Sequence, residues 1–276
     1  MGWLIDEGVL ERVRRLEIPW NRYGIDPYGT QQSDVARMFT VLGFLYRRYF
    51  RVTANGLDHV PARGRAMVIG NHSGGWAVDA LMVLASMFFD KQPPRLAHGM
   101  VEKFLARLPF SSISSQRSGQ FVGVPENALR LLADERLLMV FPEGARGTAK
   151  LFPERNSLVK FGTGFMRLAM EARTPIVPVG FVGGGEAIPS VFNLYGIGKL
   201  FGVPYIPVTP YLVAVPLPVA LHLEYGEPMF FEGTGNEPDE VVSAYVDKVK
   251  ERIAGLIERG RPARREGLTG LRRLLP

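Results

Sequence analysis

Nine consecutive residues, Asn71-His72-Ser73-Gly74-Gly75-Trp76-Ala77-Val78-Asp79, set an imidazole and a carboxylate on either side of a glycine-rich turn. They follow the apolar run Ala66-Met67-Val68-Ile69, so a strand delivers the histidine into the turn. An imidazole with a pKa of about 6.5 can accept a hydroxyl proton near neutrality. To do so it needs an orienting group on its other ring nitrogen, and Asp79 is the candidate. Gly74 and Gly75 leave the backbone free to bend and let a substrate approach. A structural alternative stays open, in which Ser73 caps the next helix and Asp79 only sits in its early part.

A second segment repeats the layout of strand and then charged turn. Leu137-Leu138-Met139-Val140 runs into Phe141-Pro142-Glu143-Gly144-Ala145-Arg146. Arg146 can fork onto a phosphate, and Glu143 can accept from an acceptor hydroxyl or hold Arg146 in place. The Gly144 N–H can face a developing oxyanion. Lys160, just before Phe161-Gly162, either completes an anion site with Arg146 or marks a solvated helix start.

Composition removes several other chemistries. With no cysteine there are no disulfides, no thiolate nucleophile and no Cys-ligated metal, and no His or carboxylate cluster has zinc-ligand spacing. Net charge is +6 from 33 basic and 27 acidic residues, a balance that suits phosphorylated molecules or anionic lipid. The basic residues are spread out except for Arg261, Arg264, Arg265, Arg272 and Arg273, and no nucleic-acid-binding module signature is present. A nucleic-acid partner is therefore not expected. Charges at Asp6, Glu7, Glu11, Arg12, Arg14, Arg15 and Glu17 argue against a secretory leader.

These side chains need a frame, and the patterning supplies one. Strands are expected over 68–71, 95–98, 137–141, 176–182 and 221–225. Helices are expected over 77–89, 100–108, 126–134 (with Pro125 at the first position), 163–172 and 239–259. The alternation predicts an α/β fold: a central sheet with helices on both faces. His72 and Glu143 both follow strand carboxyl ends, where such sheets carry their sites. Met38, Phe39, Leu42, Leu45, Tyr46 and Tyr49 recur at helical spacing beside arginines, which describes an amphipathic helix lying on the core or on a lipid surface. The apolar stretch there is too short to span a bilayer, which takes about 20 residues. Phe201 to Leu223 is uncharged except for His222, and its five prolines rule out a regular helix. It is either a buried irregular crossing or an apolar wall for a long hydrocarbon.

Asn71-His72 followed by Asp79, Phe-Pro-Glu-Gly-Ala-Arg at 141–146, and Ile176-Val177-Pro178-Val179 together resemble the glycerolipid acyltransferase family, which includes glycerol-phosphate and lysophosphatidate acyltransferases. The resemblance covers roughly residues 50–230. It implies a mixed, mostly parallel sheet flanked by helices, and transfer of a fatty acyl group from an acyl thioester to a glycerolipid or lysophospholipid hydroxyl. His72 would be the base, Asp79 its partner, and Asn71, Glu143, Gly144, Arg146, Lys160 and Pro178 would bind or shape the substrates. It further implies acyl-CoA or acyl carrier protein as donor and direct attack without an acyl-enzyme. Neither a cofactor nor a metal would be needed. The protein would sit peripherally on the cytoplasmic side of a membrane. The expected organisation is an N-terminal helical segment over 1–52, the catalytic domain over 53–260 and a basic tail over 261–276. Two departures stand out. Six residues separate His72 from Asp79 where the family pattern has four, and Val124-Pro125 stands where it has an arginine that holds phosphate. The second leaves room for a neutral or differently headed lipid. Two other functions remain open: a thioester or ester hydrolase, and a lipid-binding member without turnover.

Overall fold

The computed structural model describes residues 5–75, 77–102, 111–212 and 215–272, leaving aside the side chains of 111, 112 and 265–272. Nine strands carry the frame: β1 (Thr53–Asn55), β2 (Ala66–Gly70), β3 (Ala97–Val101), β4 (Phe121–Val122), β5 (Leu137–Val140), β6 (Ile176–Val182), β7 (Phe192–Leu194), β8 (Ile206–Val208) and β9 (His222–Tyr225). Seven form one sheet in the order β1-β9-β6-β2-β5-β3-β4, while β7 and β8 make a separate hairpin. Within the large sheet only the β6–β9 pair is antiparallel, so the sheet is mixed and mostly parallel.

β2 lies between β5 and β6, pairing Ile69 with Val140 on one side and Pro178 on the other. Its residues read as unbroken apolar sequence because both faces of the sheet are covered. Ala66 and Val68 point into a core shared with α1 (Glu7–Arg14), α2 (Gln32–Phe44) and α3 (Val78–Phe89). Met67 and Ile69 point into a second core with α5 (Pro125–Ala133), α7 (Gly164–Glu171) and α10 (Asp239–Arg272).

Most expected elements fall within a few residues of the observed ones. Two differ. Met100 and Val101 extend β3 instead of opening a helix, because β4 pairs with them; positions 103–108 of the expected helix lie outside the described residues. In α2 the apolar face is spent on the protein's own core: Val35, Phe39 and Leu42 are buried, with Tyr46 in the π-helical turn Leu45–Tyr49 that follows. Val41 and Phe44 stay exposed. The other difference is at the C-terminus, where helix continues through Pro262 to Arg272 instead of giving way near 260. Arg264 anchors that continuation, donating to the Ala220 carbonyl at 2.6 Å and to Glu186 at 3.2 Å. Among the described residues, no helix is long and apolar enough to cross a membrane.

Candidate active site

His72 lies two residues beyond β2, and Asp79 lies in the first turn of α3. The residues between them bridge by left-handed turns at Gly74 (φ 87°), Gly75 (φ 58°) and Ala77 (φ 54°), with Trp76 outside the described residues. Such angles suit glycine and are uncommon elsewhere, so the glycine pair absorbs the lengthened interval. The result is a direct contact: His72 Nδ1 lies 2.7 Å from Asp79 Oδ2. The same oxygen accepts the Ser73 N–H at 2.7 Å, and Asp79 Oδ1 accepts the Ala80 N–H at 2.8 Å. The carboxylate is fully buried in the first turn of α3, where both of its oxygens are hydrogen-bonded. With Asp79 Oδ2 as the acceptor, His72 Nδ1 carries the N–H and Nε2 is the ring nitrogen left to accept a proton. The imidazole stacks on Phe141, with centroids 4.7 Å apart and planes 20° from parallel, and its side chain keeps 13% exposure.

Glu143 points into the protein. Its side chain is wholly buried, and its oxygens accept from the His72 backbone N–H (2.8 Å), from the Val159 N–H (2.8 Å) and from Lys150 Nζ (3.2 and 3.0 Å). It therefore holds the backbone of His72 and the loop at 159, instead of Arg146 or an acceptor hydroxyl. Asn71 also has a structural contact set: it accepts from the Phe181 N–H at 2.7 Å and donates to the Phe181 carbonyl at 3.0 Å, locking the end of β2 to β6. The Gly144 N–H is already given to the Phe141 carbonyl at 3.0 Å, so it does not point at an oxyanion. Pro178 is buried within β6 at the register of Ile69, and its carbonyl accepts from Gly226.

Arg146 and Lys160 remain facing solvent. Arg146 is exposed on the short helix α6 (Ala145–Thr148) and donates to the Lys160 carbonyl at 3.4 Å. It lines a cleft of about 410 Å³ together with Lys150, Val159, Tyr195, Pro204 and Tyr205. Lys160 meets Arg146 through its backbone, and α7 starts only at Gly164, so it does not open a helix.

Four contributors lie outside the expected set of site residues. Lys150 is a lone lysine seven residues after Glu143, buried in the fold and paired with it. Phe141 supplies the stacking ring. Gly147 lets α6 press on the site: an added Cβ would lie 2.7 Å from the Cβ atoms of both His72 and Glu143. Burial raises the Tyr205 hydroxyl above its usual pKa, the Thr148 hydroxyl opposing the shift and Asp79 adding to it, which puts this phenol near the dyad. Among the described residues no group of three His, Cys, Asp or Glu side chains can hold a metal ion.

A family model described as Acyltransferase matches residues 51–182, the stretch that carries the dyad, the Glu143 turn and β6. The chain belongs to this acyltransferase family, the one whose glycerolipid members its motifs resemble. An uncharacterised protein of Mycobacterium leprae is 32% identical over 84% of the chain and 65% of its own length. A human protein named as a DGAT1/2-independent enzyme synthesizing storage lipids is 23% identical over 74% of the chain and 60% of its own length. The chain thus spans about two thirds or less of these relatives. The crystal structure of the 1-acyl-sn-glycerophosphate acyltransferase PlsC from Thermotoga maritima shares the fold, with a TM-score of 0.57 and 16% identity over 93% of the chain and 89% of that protein.

Proposed function

We propose that the protein moves a fatty acyl group from an acyl thioester, acyl-CoA in the first instance and acyl carrier protein as the other candidate, to a hydroxyl of a lipid acceptor. The observation that carries this reading is the 2.7 Å contact between His72 and Asp79 at the mouth of the sheet. Asp79 holds the Nδ1 proton, so Nε2 takes the proton of the acceptor hydroxyl as its oxygen attacks the thioester carbonyl. The tetrahedral intermediate collapses by breaking the carbon–sulfur bond. The departing thiolate then recovers the proton from Nε2, leaving the ring ready for another cycle. No covalent enzyme intermediate and no added cofactor is required.

Arg146 is the cation that the cleft offers to an acceptor. The phosphate-holding arginine expected near 124 is replaced by Val124-Pro125. A neutral or lightly charged glycerolipid is therefore the favoured acceptor, in keeping with a relative named for synthesizing storage lipids. The reading includes a working position at a membrane surface, peripheral and on its cytoplasmic side.

The test is transfer of a labelled long-chain acyl group from its CoA thioester to a panel of lysolipids, glycerol phosphate and diacylglycerol. His72→Ala and Asp79→Asn are expected to lower turnover by about 10²–10⁴-fold, the usual contribution of a positioned base. Undiminished transfer by His72→Ala would sink the reading. Release of free fatty acid with no acylated acceptor would make the protein a hydrolase instead.

A further inference from the structure

Between β6 and β9 the chain leaves the sheet on an excursion that contains β7, α9 (Tyr195–Leu200) and β8. Its ends are tied together by the Leu217 N–H donating to the Ala187 carbonyl at 2.7 Å. Nine of the fifteen exposed large apolar side chains among the described residues lie on it, including Phe192, Leu200 (82% exposed), Phe201 (65%) and Leu212 (82%). Scattered exposed hydrophobes are ordinary, but this density on one segment is not. The segment is neither a buried crossing nor only a wall.

Its electrostatics identify what it meets. From Ala187 to Leu221 the one charged residue is Lys199, which is exposed. The carboxylate at its base, Glu186, is taken up by Arg155 and Arg264, each at 3.2 Å. Cations border it on the other side. The Tyr49 hydroxyl donates to the Pro216 carbonyl and Arg51 to the Pro218 carbonyl, so the segment 44–51, with exposed Phe44, Arg47 and Arg48, runs along the excursion's return. The excursion's 187–221 stretch and the 44–51 rim add no carboxylate of their own, and an apolar surface rimmed by arginines complements anionic headgroups over hydrocarbon.

The inner face of the same excursion is fixed to the site. Asn193 donates to the Ala149 carbonyl at 2.6 Å, at the end of α6, and the Phe152 N–H donates to the Ser190 carbonyl at 2.8 Å. Tyr195, Pro204 and Tyr205 wall the cleft that Arg146 lines. We infer that the β7–α9–β8 excursion, with the 44–51 rim, seats the protein on an anionic lipid bilayer and opens the Arg146 cleft toward it. This rests on the lipid-acyltransferase reading above and names the surface from which that site draws its lipid.

The experiment is flotation of the full chain with vesicles of phosphatidylcholine alone or with phosphatidylglycerol, comparing wild type with Leu200→Glu/Phe201→Glu and, separately, Leu212→Glu. All three side chains project into solvent, so thermal unfolding should be unchanged. Wild type is expected to float, more with the anionic vesicles. The double variant should lose about tenfold or more of its vesicle partition, yet keep wild-type turnover of a short-chain, water-dispersed acceptor and donor. Equal flotation of variants and wild type overturns the inference, as does a wild type that fails to float. So does a wild-type dimer that the variants separate, since the face would then cover a second copy. Flotation requires no turnover, so an inactive protein that floats would refute the catalytic reading and leave this surface standing.

Discussion

Lys150→Met removes one ammonium while keeping most of the side chain's volume. That ammonium donates to both Glu143 oxygens, at 3.2 and 3.0 Å, and to the Ser157 carbonyl at 2.8 Å. Without it the wholly buried Glu143 keeps only the backbone N–H groups of His72 and Val159. Removing one partner of a buried ion pair costs about 3–5 kcal/mol, because the surviving charge is stranded. Against a total of roughly 5–15 kcal/mol, the variant should fold but unfold at a clearly lower urea concentration. Turnover should also fall, since Glu143 fixes the backbone of the base and a displacement of about 1 Å can cost about 10²-fold. The assay is urea unfolding followed by tryptophan fluorescence for wild type, Lys150→Met, Glu143→Gln and the double variant, with kcat and KM measured where each is folded. The double variant should recover part of the loss, giving a coupling energy of about 2 kcal/mol. A loss below about 1 kcal/mol for Lys150→Met, or a double variant no more stable than it, would refute this account. If instead Glu143 bound the acceptor, Glu143→Gln would raise KM for that acceptor and leave stability alone.

Gly147→Ala should hurt function more than stability: its Cβ would stand 2.7 Å from those of His72 and Glu143, so α6 or the base must move. Overpacking of this kind costs about 1–3 kcal/mol, and kcat should drop by about 10²-fold or more; wild-type kcat would show that the close approach is unimportant. His98 supplies a pH dependence. It is fully buried, with Nδ1 2.8 Å from the Gly119 carbonyl, and burial is the main reason its pKa falls from 6.5 to about 4. The unfolded chain binds this proton first, so stability is lost as pH falls from about 6.5 toward 4, by roughly 3 kcal/mol in all. Urea midpoints at pH 7 and 4 should therefore separate wild type from His98→Asn, with the variant losing less; parallel losses would exclude His98 as the cause.

How far the chain announced this arrangement depends on the distance over which each signal acts. β2, β5 and β6 are legible because a strand buried on both faces must be apolar along its length, and Ala66–Gly70, Leu137–Val140 and Ile176–Val182 are. His72 and Asp79 are legible because their partnership closes within one turn. Lys150 is not, since nothing near it in sequence says that its ammonium enters the core to meet Glu143. The continuation of α10 past Pro262 is equally hidden, because Arg264 meets Ala220 and Glu186 only after folding. Phe201 to Leu223 shows the limit of composition. Lack of charge is shared by segments that hide from water and segments that face something other than water, and only the folded position of Phe201 and Leu212 separates them.

The division of labour within the motifs bears on acceptor choice. Asn71 and Glu143, which do most to make the sequence recognisable, spend their polar atoms on Phe181, His72, Val159 and Lys150. They build the platform and leave His72 and Arg146 as the motif side chains with reach into solvent. A platform of this kind fixes where the proton moves, and it is indifferent to the headgroup. Discrimination must then come from the remaining cleft walls: Tyr195, Pro204 and Tyr205 on the excursion, and Val159 on the loop that Glu143 holds. These walls carry the phenols of Tyr195 and Tyr205 and no charge of their own, while Glu154 adds a carboxylate to the cleft, so they favour a lipid with few negative charges near the reacting hydroxyl. Exchanging the excursion's inner residues should therefore change which acceptor is used while the response of turnover to loss of His72 stays the same. A change in that response would mean that platform and walls are not separable.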